Sequence, residues 1–135
     1  FAKSKVLKSE GKTAINLSQQ WIKDWGKVPI KEGMYGNIAM AIENENNQII
    51  YVGFIWESPT EMAMIGFITR NRKARSKIKN IRKILIQSLI SHINDLGYRY
   101  ISSWCADPGL KRDFLEIGCV ETSNTVSEFF AQLKQ

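Results

Sequence analysis

The sequence predicts an α/β domain built on a mixed β-sheet that is mainly antiparallel but contains one parallel pair. Two observations carry this prediction: three strand-like runs follow one another across short polar turns, and a long amphipathic helical pattern separates them from a further strand-like run. A crossover of that length returns the chain in its starting direction, so the strands on either side of the long helix are expected to be parallel. With 135 residues, the chain is expected to form one domain over residues 1–135.

An amphipathic helix is predicted near the N-terminus. Apolar side chains recur at helical spacing over residues 16–25, and Gly26 then interrupts the pattern. On a helix with this spacing, one face carries the large apolar residues. We therefore expect Leu17, Trp21 and Trp25 to face the core.

Three strands are predicted after this helix. Residues 37–43 and 49–56 are rich in apolar side chains and flank a polar turn at 44–47. A second turn, over residues 57–60, leads into a third apolar run at 61–68. Because both turns are short, the three strands are expected to be consecutive antiparallel neighbours.

A long helix is predicted from about Asn80, and Gly97 ends it. After it, residues 98–105 predict a fourth strand, and residues 110–117 predict a short helix. The alternation in residues 119–122 and 128–133 indicates two final strands. The apolar positions of the long helix recur at spacings of three and four: Ile81, Ile84, Leu85, Leu89, Ile93 and Leu96.

The positive charge of the chain is concentrated in one segment. Lys and Arg total 19 against 13 Asp and Glu, which gives a net charge of +6. Residues 70–83 contain eight basic and no acidic residues, so the other 11 basic and 13 acidic residues leave −2. Such a segment favours an anionic partner, either nucleic acid or an acidic protein surface, although a solvated cationic face has the same composition. The eight residues are Arg70, Arg72, Lys73, Arg75, Lys77, Lys79, Arg82 and Lys83.

The composition also excludes several classes of site. No apolar run approaches the ~20 residues that a membrane-spanning helix needs. The two cysteines, Cys105 and Cys119, and the single histidine, His92, cannot supply the four ligands of a structural zinc site, so no metal is expected. We expect both thiols to be reduced and half-buried in an intracellular protein. His92 lies in a helical pattern, where packing at the edge of the core is expected.

The order of elements and the segment Phe114-Leu115-Glu116-Ile117-Gly118-Cys119 resemble the GNAT superfamily of N-acetyltransferases, over roughly residues 36–135. Within it, the pattern is similar to small acetyltransferase-like internal virion or assembly proteins of short-tailed bacteriophages. These proteins combine a Lys/Arg-rich stretch, an aliphatic helix, an aromatic strand and a Phe-Leu-x-x-Ile-Gly segment. The corresponding residues here are 73–83, 84–90, 98–104 and 114–118.

The resemblance implies a place for acetyl-CoA. In the superfamily, a loop of the form Gln/Arg-x-x-Gly-x-Gly/Ala precedes the long helix, and its backbone amides hold the coenzyme A pyrophosphate. The loop corresponds to residues 77–82, where Asn80 and Arg82 stand in place of the glycines. The resemblance then implies that the pantetheine arm pairs with the backbone near Ile68 and Thr69. Around the phosphates it places Lys77, Lys79, Asn80 and Arg82.

The resemblance also implies positions for the catalytic groups. Many members place a Tyr, the general acid, four residues before the glycine that ends the short helix. That position here is Phe114, which has no proton to donate. Glu57 and Glu61 are the candidates for the base that would deprotonate an amine acceptor. Alternatively, both carboxylates are solvated residues of the turn around Pro59.

Two functional hypotheses follow from these residues. In the first, a catalytically degenerate GNAT-fold protein acts as a phage internal virion, assembly or binding protein, with its basic segment facing an anionic partner. Other virion proteins are then further partners, and the host cytoplasm or the virion is the expected location, without secretion. In the second, the chain is an active acetyl-CoA-dependent N-acetyltransferase. A small nucleic-acid-binding module unrelated to the superfamily is a third alternative.

Overall fold

The computed structural model of the protein describes residues 5–9, 11–105, 107–123 and 131–133. In these residues the elements follow the order β1, α1, β2, β3, β4, α2, β5, α3. The strands are β1 (Lys5–Ser9), β2 (Ile38–Glu43), β3 (Ile49–Trp56), β4 (Met62–Arg70) and β5 (Tyr100–Ser103). The helices are α1 (Gly11–Asp24), α2 (Ile81–Asp95) and α3 (Pro108–Ile117), and a short 3₁₀ helix (Glu32–Met34) precedes β2.

The five strands form one sheet in the order β1-β2-β3-β4-β5. The first three pairings are antiparallel, whereas β4 and β5 are parallel and are connected by α2. The mixed sheet, the parallel pair and the long crossover helix are therefore confirmed. None of the helices in the described part of the chain is long and apolar enough to cross a membrane.

Helices cover both faces of the sheet and form two apolar clusters. On one face, α2 buries Leu85, Leu89 and Ile93 against the sheet. On the other face, Ala14 and Trp21 of α1 pack in a separate cluster with residues of β2 and β3. Burying a large aliphatic side chain contributes roughly 1.5–3 kcal/mol, so these clusters hold both helices on the sheet.

The structure corrects the predictions for the N-terminal part in three places. Strand β1 pairs with β2 and had no counterpart among the predicted elements, and α1 begins five residues before the predicted helix. Trp21 faces the core and Leu17 is half-buried, as predicted, but Trp25 is 45% exposed. Its position beyond the last turn of α1 explains this exposure, because the indole N–H donates to the carbonyl oxygen of Arg70 at 3.1 Å instead of entering the core.

The prediction for the C-terminal part is partly wrong. Helix α3 forms as expected: Asp107 caps it by accepting the Leu110 N–H, and Gly118 ends it at φ 110°. Residues 119–122 do not form the predicted strand, because no described strand pairs with this four-residue segment. Of the predicted strand at 128–133, residues 128–130 lie outside the described residues, and residues 131–133 are not in a strand.

Gly36 provides a test of the packing where the chain enters β2. A Cβ atom added at Gly36 would lie 2.4 Å from the carbonyl oxygen of Ile55, a backbone atom that cannot move aside without distorting β3. We expect Gly36→Ala to lower the free energy of unfolding by about 1–3 kcal/mol, the usual cost of overpacking. Urea denaturation measures this change.

Gly33 is the matched control, since a Cβ atom added there meets nothing within 4 Å. Gly33→Ala is expected to change the free energy of unfolding by at most about 0.5 kcal/mol. Equal destabilisation by the two substitutions would contradict the packing at Gly36.

Candidate functional site

A β-bulge in β4 creates an opening beside the parallel strand pair. Val52 pairs with Thr69 and Phe54 with Gly66, so two residues of β4 oppose the single residue Gly53 of β3. The pairing of β4 with β5 ends at Ile65, just before the bulge, while β4 continues to Arg70. Beyond Ile65 the backbone of β4 therefore has no strand partner on the side of β5 in the described residues.

The bulge residue Phe67 has a left-handed backbone that a buried network supports. Its φ is 49°, an unfavourable value for an aromatic residue. The hydroxyl of Thr69 donates to the Phe67 carbonyl oxygen at 2.8 Å and contacts the hydroxyl of Ser18 at 2.9 Å. Tyr35 donates in turn to Ser18 at 3.0 Å, and burial raises the pKa of Tyr35 against the opposing effect of that hydrogen bond. These contacts connect α1 and the 3₁₀ region to the bulge.

Ile68 and Thr69, where the resemblance places the pantetheine arm, follow the bulge directly. Thr69 is buried and uses its side chain for the network, and Ile68 packs partly against the α2 cluster. Their side chains therefore stabilise the fold. A ligand could instead form hydrogen bonds with the main-chain groups of these two residues on the side of β4 that has no strand partner.

The loop from β4 to α2 ends in a backbone shape suited to anions. Asn80 precedes the first turn of α2 with φ 59° and ψ 32°, and its side chain forms no capping hydrogen bond. A left-handed residue followed by helical residues turns successive N–H groups towards one side, and the helix dipole adds a partial positive charge there. Asn80 thus adopts the left-handed conformation that would explain a glycine at the corresponding position of the superfamily loop.

The turn between β2 and β3 holds this loop from the other side. The buried side chain of Asn44 donates to the carbonyl oxygen of Arg75 at 2.7 Å. Glu45 accepts the backbone N–H of Lys77 with both carboxylate oxygens, at 2.8 and 2.9 Å, and the hydroxyl of Ser76 at 3.2 Å. The hydrogen bond from Lys77 is the largest cause of the lowered pKa of Glu45.

Two of the eight basic residues pair with acids of α3 instead of facing a partner. Arg82 donates to Asp113 at 2.6 Å and lies 3.8 Å from Asp107, and Lys83 pairs with Glu116. Burial lowers the pKa of Arg82, but the hydrogen bond and charge of Asp113 outweigh it and raise that pKa overall. The long side chain at the second glycine position is thereby turned towards α3.

The remaining basic residues divide into packed and exposed side chains. Arg72 lies 5.3 Å from the ring centroid of Trp25 and donates to the carbonyl oxygen of Asp24, while Arg70 lies 6.0 Å from the ring centroid of Tyr51. These are cation–π contacts that bind the start of the loop to its surroundings. Arg72 remains exposed despite its contact with Trp25, and the other exposed basic side chains on the loop are Lys73, Arg75, Lys77 and Lys79.

Glu57 and Glu61 lie at the far end of β4 from this loop. Strand β4 has nine residues and is about 26 Å long at its usual rise, so it separates the two turns at its ends. Glu57 accepts a hydrogen bond from Asn37 at 2.8 Å, and Glu61 lies 3.7 Å from the exposed guanidinium of Arg99. The structure does not bring these two carboxylates together with the loop, and their role as a base stays a prediction.

Phe114, at the position of the general acid in the resemblance, is buried in the α2 cluster and only 8% exposed. It also lines a cavity of about 730 Å³ between β5, α3 and the segment that follows α3. Cys105 and Cys119 line the same cavity, and both are free, half-buried thiols whose pKa burial raises. Phe114 is the single residue of the predicted site that contributes to this cavity in the described residues. The cavity is therefore separate from the loop before α2.

Sequence reasoning did not find three features of this region: the bulge at Phe67, the buried hydroxyl network and the contact between Glu45 and the loop. A signal for the last was present, since Glu45 lies in a polar turn and the loop has no acid of its own. The pairing of a turn with a loop more than 30 residues away depends on the sheet register, which composition does not supply.

Solved structures that superpose on the chain include acetyltransferases. No protein-family model matches the sequence, and no curated protein matches it. An acetyltransferase of the GNAT family from Staphylococcus aureus superposes with a TM-score of 0.65 at 13% identity, covering 98% of this chain and 95% of that one. Glucosamine-6-phosphate N-acetyltransferase from Arabidopsis thaliana gives 0.62 at 18% identity, with 96% and 99% covered. A predicted acetyltransferase from Clostridium acetobutylicum, solved with acetyl-CoA, gives 0.64 at 14% identity, with 94% and 96% covered.

These likenesses establish the fold of the chain. The mixed sheet with its parallel pair and long crossover helix is the GNAT fold, which confirms the expected fold class. Because the identities lie below 20%, the activities named for these structures belong to those proteins.

The pair Arg82–Asp113 offers a test of how the loop region is stabilised. Asp113 is 10% exposed at its side chain and Arg82 25%, so the pair is largely but not fully desolvated. We expect Asp113→Asn and Arg82→Met each to destabilise the protein, with a coupling energy of about 1–3 kcal/mol in a double-mutant cycle. Urea denaturation of the four proteins measures it.

The exposed residue Asp95, at the end of α2, is the control for loss of one carboxylate. Asp95→Asn is expected to change stability by at most about 0.5 kcal/mol. A coupling energy near zero between residues 82 and 113 would mean that the ion pair does not connect α2 to α3.

Proposed function

We propose that this protein is a catalytically degenerate GNAT-fold binding protein whose exposed basic loop contacts an anionic partner. The observation that carries the proposal is Phe114: the position that the resemblance assigns to the proton donor is occupied by a buried phenyl ring. A departing thiolate would receive no proton from this side chain. The scaffold is retained while this chemical group is missing.

The distribution of charge supports a binding role for the loop. Acids of α3 neutralise Arg82 and Lys83. The loop itself projects Lys73, Arg75 and Lys79 into solvent, at one end of the sheet. Closely spaced cations of this kind attract phosphate backbones or acidic protein surfaces without requiring base-specific contacts.

The finer proposal is an internal virion or assembly role in a bacteriophage, with nucleic acid as the partner and other virion proteins as neighbours. It is supported by the resemblance of residues 73–83, 84–90, 98–104 and 114–118 to such proteins. Location in the host cytoplasm or the virion belongs to the same proposal. Detection of the chain in purified particles by mass spectrometry tests this role, and its absence from them contradicts it.

Charge reversal tests the binding role. We expect the triple substitution Lys73→Glu, Arg75→Glu and Lys79→Glu to weaken binding to duplex DNA by about tenfold or more, measured by fluorescence anisotropy. For every phosphate that the loop no longer neutralises, the slope of log affinity against log salt should also become shallower by about 0.9.

The matched control reverses the same charge elsewhere, at the exposed residues Lys12, Lys23 and Lys27 of α1 and the turn after it. If the control weakens binding as much as the loop variant, the attraction depends on net charge and the proposed contact surface is wrong.

An active acetyl-CoA-dependent N-acetyltransferase is the second candidate. The observation that favours it is the preserved backbone: the bulge at Phe67 opens β4, and Asn80 keeps the left-handed conformation before α2. In addition, Arg82 points towards Asp113 and away from the loop amides.

Calorimetric titration with acetyl-CoA separates the two candidates. For the degenerate protein we expect no heat of binding at millimolar acetyl-CoA and no release of free thiol, because the general acid is missing and the loop donates to an internal carboxylate. Micromolar binding together with acetyl transfer to an amine would overturn the proposed function and establish the enzyme.

A further inference from the structure

The chain places one of its own carboxylates against the loop that would meet an external anion. Lys77 gives its backbone N–H to Glu45, and the hydroxyl of Ser76 points to the same carboxylate. An ionised carboxylate held by a main-chain amide and a hydroxyl has the contacts that a phosphate oxygen uses in loops of this kind. Glu45 therefore occupies two hydrogen-bond donors that could otherwise bind an incoming oxyanion.

The surroundings of this contact are cationic. Lys77 and Lys79 project from the loop with exposed side chains, and Asn80 orients the first amides of α2 on the same stretch of chain. Like any glutamate that is not buried, Glu45 is ionised at neutral pH, and the hydrogen bond from Lys77 lowers its pKa further, so it competes with an external anion as a charged group. The carboxylate of Glu45 and an external anion repel each other and cannot both accept hydrogen bonds from the Lys77 N–H and the Ser76 hydroxyl.

Glu45 is not the sole attachment of the loop. Asn44, which is 1% exposed, already joins the same turn to the carbonyl oxygen of Arg75 at 2.7 Å. Asn71 anchors the start of the loop by donating its backbone N–H to the carbonyl oxygen of Ile50 at 2.8 Å. The loop thus keeps two anchors when the carboxylate of Glu45 is removed.

We propose that Glu45 is an autoinhibitory carboxylate, which occupies the Lys77 amide and the Ser76 hydroxyl and so keeps phosphate-type oxyanions from these two donors, while the exposed basic side chains of the loop stay accessible. This inference deepens the proposed function and rests on it, because it assigns the weak pyrophosphate binding expected of the degenerate protein to one side chain. A ligand that reaches these donors must displace Glu45.

Substitution of Glu45 tests the inference with inorganic pyrophosphate as the probe. At constant ionic strength, Glu45→Gln is expected to bind pyrophosphate about tenfold tighter or more than the wild-type chain, measured by calorimetry, because a charge-assisted contact no longer competes. Glu45→Asp keeps the charge but shortens the side chain by one methylene, and we expect it to raise the affinity as well. The aspartate variant decides the question if the glutamine variant does not fold.

Glu43→Gln is the matched control, since Glu43 lies two residues earlier and its side chain forms no hydrogen bond or ion pair with the loop in the described part of the chain. An equal gain for Glu43→Gln and Glu45→Gln, or no gain for either substitution of Glu45, would overturn the inference. Failure of this inference can be distinguished from failure of the proposed function. Acetyl transfer by the wild-type chain would refute the degenerate protein, whereas unchanged pyrophosphate affinity in the variants refutes only the role of Glu45.

Discussion

The close approach of α2 to β3 at Gly53 is the constraint on which the geometry of the site depends. A Cβ atom at this position would lie 2.9 Å from a methyl carbon of Leu89, so the helix reaches the sheet only over a glycine. The same residue opposes the bulge formed by Phe67 and Ile68 in β4. Gly53 thus affects both the packing of α2 on the sheet and the bulge in β4. The parallel pairing ends at Ile65, just before the bulge, and beyond it β4 has no strand partner on that side among the described residues.

Electrostatics then decides what this opening can receive. The eight basic residues are close together in the sequence, which suggests one anion-binding surface. In the fold, however, some of them form internal ion pairs or packing contacts and only the others are left to bind an anion. Arg82 and Lys83 stabilise the contact between α2 and α3, and Arg72 packs on Trp25. Ion pairs that are partly desolvated and hydrogen-bonded act as structural contacts, and the charge they contain is no longer available to a ligand. The position of each acid in the fold matters more here than the net charge.

Local patterns were sufficient to predict strands β2 to β5 and the crossover helix, because β3 and α2 are long, strongly apolar and bounded by clear turns or glycines. The parallel pair followed from the length of the connection alone. Other features depend on contacts between distant segments, which no local window contains. Trp25 continues the apolar stripe of α1 but binds the end of β4, and residues 119–122 alternate like a strand but have no described strand as a neighbour. For the same reason the bulge at Phe67 could not be predicted.

The candidate site separates backbone shape from chemistry. The shape depends on buried packing and on the network around Thr69, so it persists as long as the core persists. The chemistry depends on single side chains placed on that shape, and one of them, Phe114, is also part of the buried α2 cluster. The resemblance places a proton donor where this chain has the phenyl ring of Phe114, and the carboxylate of Glu45 accepts hydrogen bonds from the Lys77 amide and the Ser76 hydroxyl. A fold can therefore keep the backbone outline of a site while single side chains change what that site can bind or catalyse.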